Sequence, residues 1–267
     1  MEVKTIIIPY SRGEKFRGHA LGDEHEGTQH HAESMLATQV KEIASDKVHN
    51  FWWGMADKCE FITPSDPRWD AGSIESWVQP DNIAVCQSDH WMDTHMPIQD
   101  QCKGLLWGNH EDAIRIHSHV DVQYNICQKF GVENLGYSCF LRLIFRRRKS
   151  KESHQFIGFV THGSGWAVTK GAKLNRLQRI MNDFDADFYA HGHMHDLIDD
   201  KKPYLQLNAN NVIVQKEKVG AVTGCWFRTY TQGVSASYGE KKTYSPTSIG
   251  CAVFTFDPSN QEVTVET

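Results

Sequence analysis

The segment AHGHMHD, residues 190–196, places histidines at 191, 193 and 195 directly after the apolar run DFYA. Imidazole ligates divalent cations and carries protons near neutral pH, so the cluster raises the question of a metal and of which histidines would hold it. A solvated histidine run would look the same locally, and the rest of the chain has to decide. Four further segments put metal-capable side chains where a strand-like run gives way to a loop: LGDEHEG with Asp23 and His25, GMADKCEF with Asp57, WGNHED with Asn109 and His110, and FVTHGSG with His162. Loops at strand ends suit ligands, because a sheet fixes the backbone while the side chains converge. The donors are carboxylate, imidazole and amide, without cysteine. Such a set suits a borderline or hard divalent ion such as Mn, Fe, Ni or Zn.

The elements that position these residues follow from apolar spacing. VKTIIIPY, FRGHALG and HNFWWG read as strands stopped by turn residues, and KGLLWGN as a short apolar strand. Residues 30–48 carry Met35, Leu36, Val40 and Ile43 at amphipathic-helix spacing. Helix is also expected over 81–102, 112–130 and 170–183. YSCFLRLIF and HQFIGFVTHG read as a hairpin with the charged tip RRRKSKES, and the chain after DFYA as strands and turns: YLQLN, NVIVQKE, GCWFRTY, CAVFTF and EVTVE. Helices alternating with strands, then a strand-rich end, predict a mixed α/β architecture with helices outside the sheet. No repeat, low-complexity tract or linker divides residues 1–267, so one domain is expected.

Composition narrows the classes. A formal net charge of −5 offers no general attraction to nucleic acid or an anionic membrane. No apolar run reaches bilayer length, and MEVKTIIIPYSRG has no secretory-signal pattern. The seven cysteines are odd in number and scattered without a Cys-x-x-Cys pair, which fits free thiols in a cytoplasmic setting.

Taken in order, Asp-x-His, an Asp-containing loop, Gly-Asn-His-Glu, a lone His and Gly-His-x-His resemble the motif set of the calcineurin-like metallophosphoesterases, over residues 21–195. The stretch CEFITPSDPRW is most similar to bacteriophage-encoded members. The resemblance implies a four-layer sandwich of two mixed β-sheets flanked by helices, with a dinuclear metal site at the strand ends. It implies two divalent ions, Mn foremost, about 3.5–4 Å apart. Asp23, His25 and His195 would hold the first, Asn109, His162 and His193 the second, with Asp57 bridging. His110 would face the substrate, and Glu111 occupies the position whose carboxylate orients that histidine. One departure is Ala56, where the family usually has glycine; its Cβ resists positive φ. Gly192 would let the backbone approach the site, Met194 would point elsewhere, and His191 would be structural or support a ligand.

Two such ions would lower the pKa of a bridging water, whose hydroxide attacks phosphorus in line with the leaving oxygen. A protonated His110 would stabilise charge and protonate the leaving group, without a covalent enzyme intermediate. The implied substrate is a phosphodiester in a nucleotide or nucleic acid, a nuclease reaction included, in the host cytoplasm for a phage protein. The alternative is a phosphomonoesterase or phosphoprotein phosphatase, although the extra arginine-bearing motifs of the latter branch are missing. A non-catalytic binding module would be expected to lose ligands or the histidine after Asn109, and this chain has both. No membrane partner is expected, and nothing in the sequence speaks to oligomeric state.

Other features carry two readings each. HEGTQH spaces its histidines five apart, about 500° around a helix, so it is no zinc-protease helix. Neither a Gly-x-x-x-x-Gly-Lys loop nor a Gly-x-Ser-x-Gly elbow occurs. FRRRKSKE, residues 145–152, is a solvated tip or a phosphate-backbone contact. Trp166 is core, or a wall that stacks a base. SYGEKKTYSPTSIG, residues 237–250, reads as a loop over the site, with Tyr238 and Lys241 as candidates for substrate contact. His30, His31, His90, His95, His117, His119 and His154 read as surface or helix-packing residues.

Overall fold

A computed structural model describes residues 1–165 and 167–267; Trp166 lies outside the described residues. The strands are β1 (Glu2–Tyr10), β2 (Phe16–Leu21), β3 (Asn50–Gly54), β4 (Cys102–Leu105), β5 (Ser138–Arg147), β6 (Ser153–Thr161), β7 (Phe188–His191), β8 (Leu197–Leu207), β9 (Ile213–Cys225), β10 (Gly250–Asp257) and β11 (Glu262–Glu266). Hydrogen bonding orders them β1-β5-β6-β7-β9-β10-β2-β3-β4, with β8 added to β9 and β11 to β10. The path is continuous, where two sheets were expected. Its two stretches are joined at one seam, the pairs Gly250–Cys225 and Cys251–Gly224.

Strands β2, β3 and β4 run parallel, and so do β6, β7 and β9. A mixed α/β chain is therefore observed. Between the two stretches lies an aromatic core in which Phe145, Phe156 and Phe188 pack on Phe256, and Trp53 and Phe188 on Phe254. Burying such rings removes large apolar areas from water and dominates core energetics.

Helices cover the outer faces. In α1 (Glu33–Ser45) the spaced residues Leu36, Val40 and Ile43 are buried, whereas Met35 is exposed. Helix α2 (Ile83–His95) continues as a 3-10 turn, Met96–Gln101. The single helix expected over 112–130 is two, α3 (Asn109–Ser118) and α4 (Val122–Phe130). His119, at φ 55°, ends the first, and the Asp121 carboxylate accepts from Tyr124 N–H to start the second. Helix α5 (Lys170–Asp183) lays Leu177 and Met181 on Phe159, Tyr189 and Val222.

Two strand assignments change. GCWFRTY is not a strand: Gly224 at φ 85° precedes the end of β9, and Trp226 N–H donates to the Asp23 carbonyl instead of a ladder. YLQLN and NVIVQKE are the outer parts of the longer β8–β9 hairpin, which past Lys201 and Val219 pairs only with itself. Its tip exposes Leu205, Leu207, Val212 and Ile213. The seven cysteines are all free, and among the described residues no helix is long and apolar enough to cross a membrane.

Candidate metal centre

Every residue of the sequence motifs follows a strand end: Asp23 and His25 follow β2, Asp57 follows β3, Asn109 follows β4, His162 follows β6, and His193 and His195 follow β7. The loops are tied by main-chain bonds. Asp23 N–H donates to the Ala56 carbonyl at 2.9 Å, and Glu24 and His25 N–H donate to that of Asp57 at 2.9 and 3.1 Å. Asp23, His25, Ala56, Asp57, His193 and His195 all have positive φ, between 46° and 81°. Aspartate and histidine enter this region more readily than most residues. Ala56, at φ 81°, holds it despite its Cβ. Strained backbone of this kind persists where the surroundings over-determine it and clusters at functional sites.

The side chains converge as two triads, Asp23–His25–His195 and Asp57–His162–His193, the potential donor atoms of each lying within 4.8 Å of one another. The two carboxylates are held alike. Asp23 Oδ2 accepts His193 N–H at 2.9 Å while Oδ1 faces His195 Nε2 at 3.3 Å. Asp57 Oδ1 accepts His110 N–H at 3.0 Å while Oδ2 faces His162 Nε2 at 3.2 Å. Asn109 Oδ1 also meets His162 Nε2, at 3.1 Å.

The histidine tautomers leave lone pairs pointing inward. His162 Nδ1–H donates to the Met55 carbonyl, and His25 Nδ1–H to Glu60 Oε2, each at 2.9 Å. His25 Nε2 then faces His195 Nε2 at 3.1 Å, and Asp23 Oδ1 is buried without a hydrogen-bond partner among the described residues. Acceptors facing acceptors need a proton or a cation between them. Burial would lower the pKa of His162, but the Asp57 carboxylate beside it wins and pushes it up to about 9. Asp57 itself, which burial would raise, is held well below its ordinary value by the His162 and His110 imidazoles. The donor set of each triad, and in the first triad the unsatisfied Asp23 Oδ1 as well, fit a divalent cation. Space is reserved for them: a Cβ on Gly108 would sit 2.3 Å from Asp57 Oδ1 and 2.7 Å from His162 Nε2.

Glu111 makes no hydrogen bond to the His110 ring among the described residues. It is the third residue of α3, and its carboxylate folds back on the helix start. Oε2 takes the N–H groups of Gly108 and Asp57, Oε1 that of Lys58 and the Lys58 ammonium at 3.1 Å. An N-terminal capping box uses a glutamate here for the same reason, to satisfy orphan donors. The fully buried Lys58 also donates to the Leu106 carbonyl and to Gln123 Oε1. Together they clamp the loop that presents Asp57.

The partner of His110 is Glu60, which the sequence reading passed over. His110 Nδ1–H donates to the Glu60 carbonyl, and its ring meets His25 edge-on at 4.5 Å. Burial would lower the His110 pKa, but Asp57 and Glu60 raise it above its ordinary value. Phe227, also missed, packs on His25 and His195 with centroids 5.1 and 5.8 Å away. An Asx- or Glu-containing loop after a motif aspartate is the one signal that could have found Glu60.

Other candidates find other places. His191 ends β7 buried, its Nδ1–H on the Gly192 carbonyl and its pKa lowered by burial to about 4. Met194 points into the core beneath α5. Gly192 approaches the site closely, since a Cβ there would lie 3.2 Å from Asp23 Oδ2. Lys241 pairs with Asp70 at 3.5 Å, and Tyr238 is exposed near Tyr244, so the 237–250 loop leans on the segment around Asp70. In the basic run, Arg147 pairs with Glu152 and Arg148 with Glu14. It lies at the opposite end of β6 from His162, roughly 25 Å away by strand rise.

No family model matches the chain, and no curated protein sequence does. Among solved structures, a Haemophilus influenzae NAD nucleotidase aligns with 96% of this chain at 9% identity and a TM-score of 0.44. The chain spans half the length of that structure.

Proposed function

We propose that this protein is a metal-dependent phosphoesterase of the calcineurin-like type, a single domain whose substrate is a phosphodiester in a nucleotide or nucleic acid. The observation that carries the reading is the pair of inward-facing triads at adjoining strand ends with His110 beside them. Asp23, His25 and His195 would hold one divalent ion, Asn109, His162 and His193 a second, and Asp57 would serve both, with Mn the first choice. The four-layer arrangement of this family is supported by separate apolar clusters between the two stretches of sheet and under the helices on either side.

Divalent ions in such a site supply Lewis acidity toward phosphate oxygens and acidify water. The chain contributes the rest. Lys58 and Glu111 hold the Asp57 loop in place, and the Met55 and Glu60 acceptors fix the ring orientation of His162 and His25. His110 commits Nδ1–H to the Glu60 carbonyl, which leaves Nε2 to carry the proton for a leaving oxygen. This arrangement is open to diesters because the departing alkoxide is a poor leaving group without that proton. The test is turnover of bis-p-nitrophenyl phosphate against p-nitrophenyl phosphate, with Mn restored to chelated protein. Diester hydrolysis that returns with Mn is expected, and cleavage of a dinucleotide, whose alkoxide leaving group needs that proton, is expected to fall at least about a hundredfold in His110→Ala with metal retained. Preference for the monoester, or full activity of the alanine variant on the dinucleotide, would overturn the substrate class or the role of His110 respectively.

A further inference from the structure

Glu24 and Glu26 alternate in sequence with Asp23 and His25 but face away from the triads, toward α2. There they meet His95 at the end of that helix. All three are buried, at 1%, 1% and 0% exposure, and one donor atom of each lies within 4.8 Å of the others. The surroundings hold each of them from outside. His95 Nδ1–H donates to the Trp91 carbonyl at 2.9 Å, Trp91 Nε1–H to Glu24 Oε2 at 2.6 Å, and His90 Nδ1–H to Glu26 Oε2 at 2.7 Å. The His90 ring is itself stacked on Trp77 at 4.0 Å.

Two atoms inside this cage are left over. Among the described residues Glu26 Oε1 and His95 Nε2 have no hydrogen-bond partner, and His95 Nε2 stands 3.4 Å from Glu24 Oε2 without hydrogen-bond alignment. Buried polar atoms are rarely left so, because each forfeits its hydration for nothing. An imidazole anchored through its other nitrogen to a carbonyl, beside carboxylates fixed by outer donors, is the arrangement that orients metal ligands.

We propose that Glu24, Glu26 and His95 form a third cation site, distinct from the two triads, for a divalent transition ion of the zinc class. Two carboxylates balance the charge of such an ion, and an oxygen–oxygen–nitrogen set is within its ordinary ligand chemistry. Complete burial makes the ion structural: it would pin the segment that presents Asp23 and His25 from behind. The competing occupant is a proton on His95, which would leave an imidazolium between two carboxylates and no ion to measure.

The proposal is independent of catalysis and is tested by metal content. After zinc loading and exhaustive dialysis, Glu26→Gln is expected to hold one ion fewer per chain than the unchanged protein. Glu26→Asp, which preserves charge and folding but draws the donor back, is expected to lose the same ion. The difference tests this site and the total tests the triads: if the triads hold nothing, the counts are one and zero. Equal metal content in the unchanged protein and both variants overturns the proposal. Crystals of the unchanged protein give a check without a variant. An anomalous zinc peak between Glu26 Oε1 and His95 Nε2 supports the site, and its absence from zinc-loaded crystals overturns it.

Discussion

The two triads are built from the same residue types yet are supported differently. Asp57 and His162 are almost fully buried, the Met55 carbonyl fixes the His162 ring, and a buried Lys58–Glu111 pair clamps the loop below. In the other triad His195 leaves 24% of its side chain exposed, and His25 depends on Glu60, a carboxylate on a loop that is itself 28% exposed. Each triad has one half-buried histidine, His193 or His195, so the difference lies in the support: one half is set by backbone and a buried ion pair, the other by the partly exposed Glu60 carboxylate. Preorganisation of this kind fixes ligand geometry before an ion arrives. The Asp57–His162–His193 side is expected to be the more rigid, tighter half.

That contrast can be broken most severely at Gly108. Gly108→Ala would drive a methyl group between Asp57 and His162, and diesterase activity is expected to fall about a thousandfold, with metal content reduced, most in that half. Next in size is Lys58→Met, which strands the Glu111 carboxylate in the interior. Denaturant unfolding should show a loss of about 3–5 kcal/mol, partly recovered by adding Glu111→Gln.

A pH axis adds a third comparison, at the strand leading into the Asp23–His25–His195 triad. Burial, with help from Arg17, lowers the pKa of His19 to about 4, and its Nε2 has no hydrogen-bond partner among the described residues. Between the ordinary value near 6.5 and this one, the unfolded chain binds a proton that the folded chain refuses. The stabilising effect of a neutral His19 is thus complete above about pH 6.5 and is lost as pH falls toward 4. Between pH 7 and 4 the wild type should lose up to about 3 kcal/mol more stability than His19→Leu, read from denaturation at each pH. The smallest effect is expected from Glu60→Gln, which weakens the anchor of His25 while leaving the clamped half alone. Mn affinity of that triad should drop about 10–100-fold by titration, and an equal loss in both triads would contradict the asymmetry.

Much of this centre was legible because each candidate ligand sits in a short run at the end of an apolar strand. Asp23, His25, Asp57, Asn109, His162, His193 and His195, the set that the family resemblance implies, lie together although they span most of the chain. The roles of Glu60 and Glu111 were not legible. Both are acids near a motif, and only the fold decides that one turns to imidazoles and the other to its own helix start and to Lys58. His95 escaped for a similar reason: helix-packing histidine and buried partner of two glutamates look identical in sequence. The fold was readable as a mixed α/β chain, but the seam joining β9 to β10 depends on two residue pairs that no periodicity encodes. The break between α3 and α4 was visible in principle, since Asp121 is a strong helix starter placed after the left-handed His119.

The β8–β9 hairpin has a consequence for how the molecule comes apart. From Pro203 to Glu217 its strands have no sheet partner but each other, and their side chains are mostly open to water. A lone two-stranded ribbon is marginal in water, so this length can fray and reform while the rest of the sheet stays closed. Its amides should exchange with deuterium far sooner than those of β7, which lies between two partners and leads into the AHGHMHD segment. The protein would then behave as two cooperative units, a slow body that keeps the candidate metal ligands in register and a fast ribbon whose opening leaves them undisturbed.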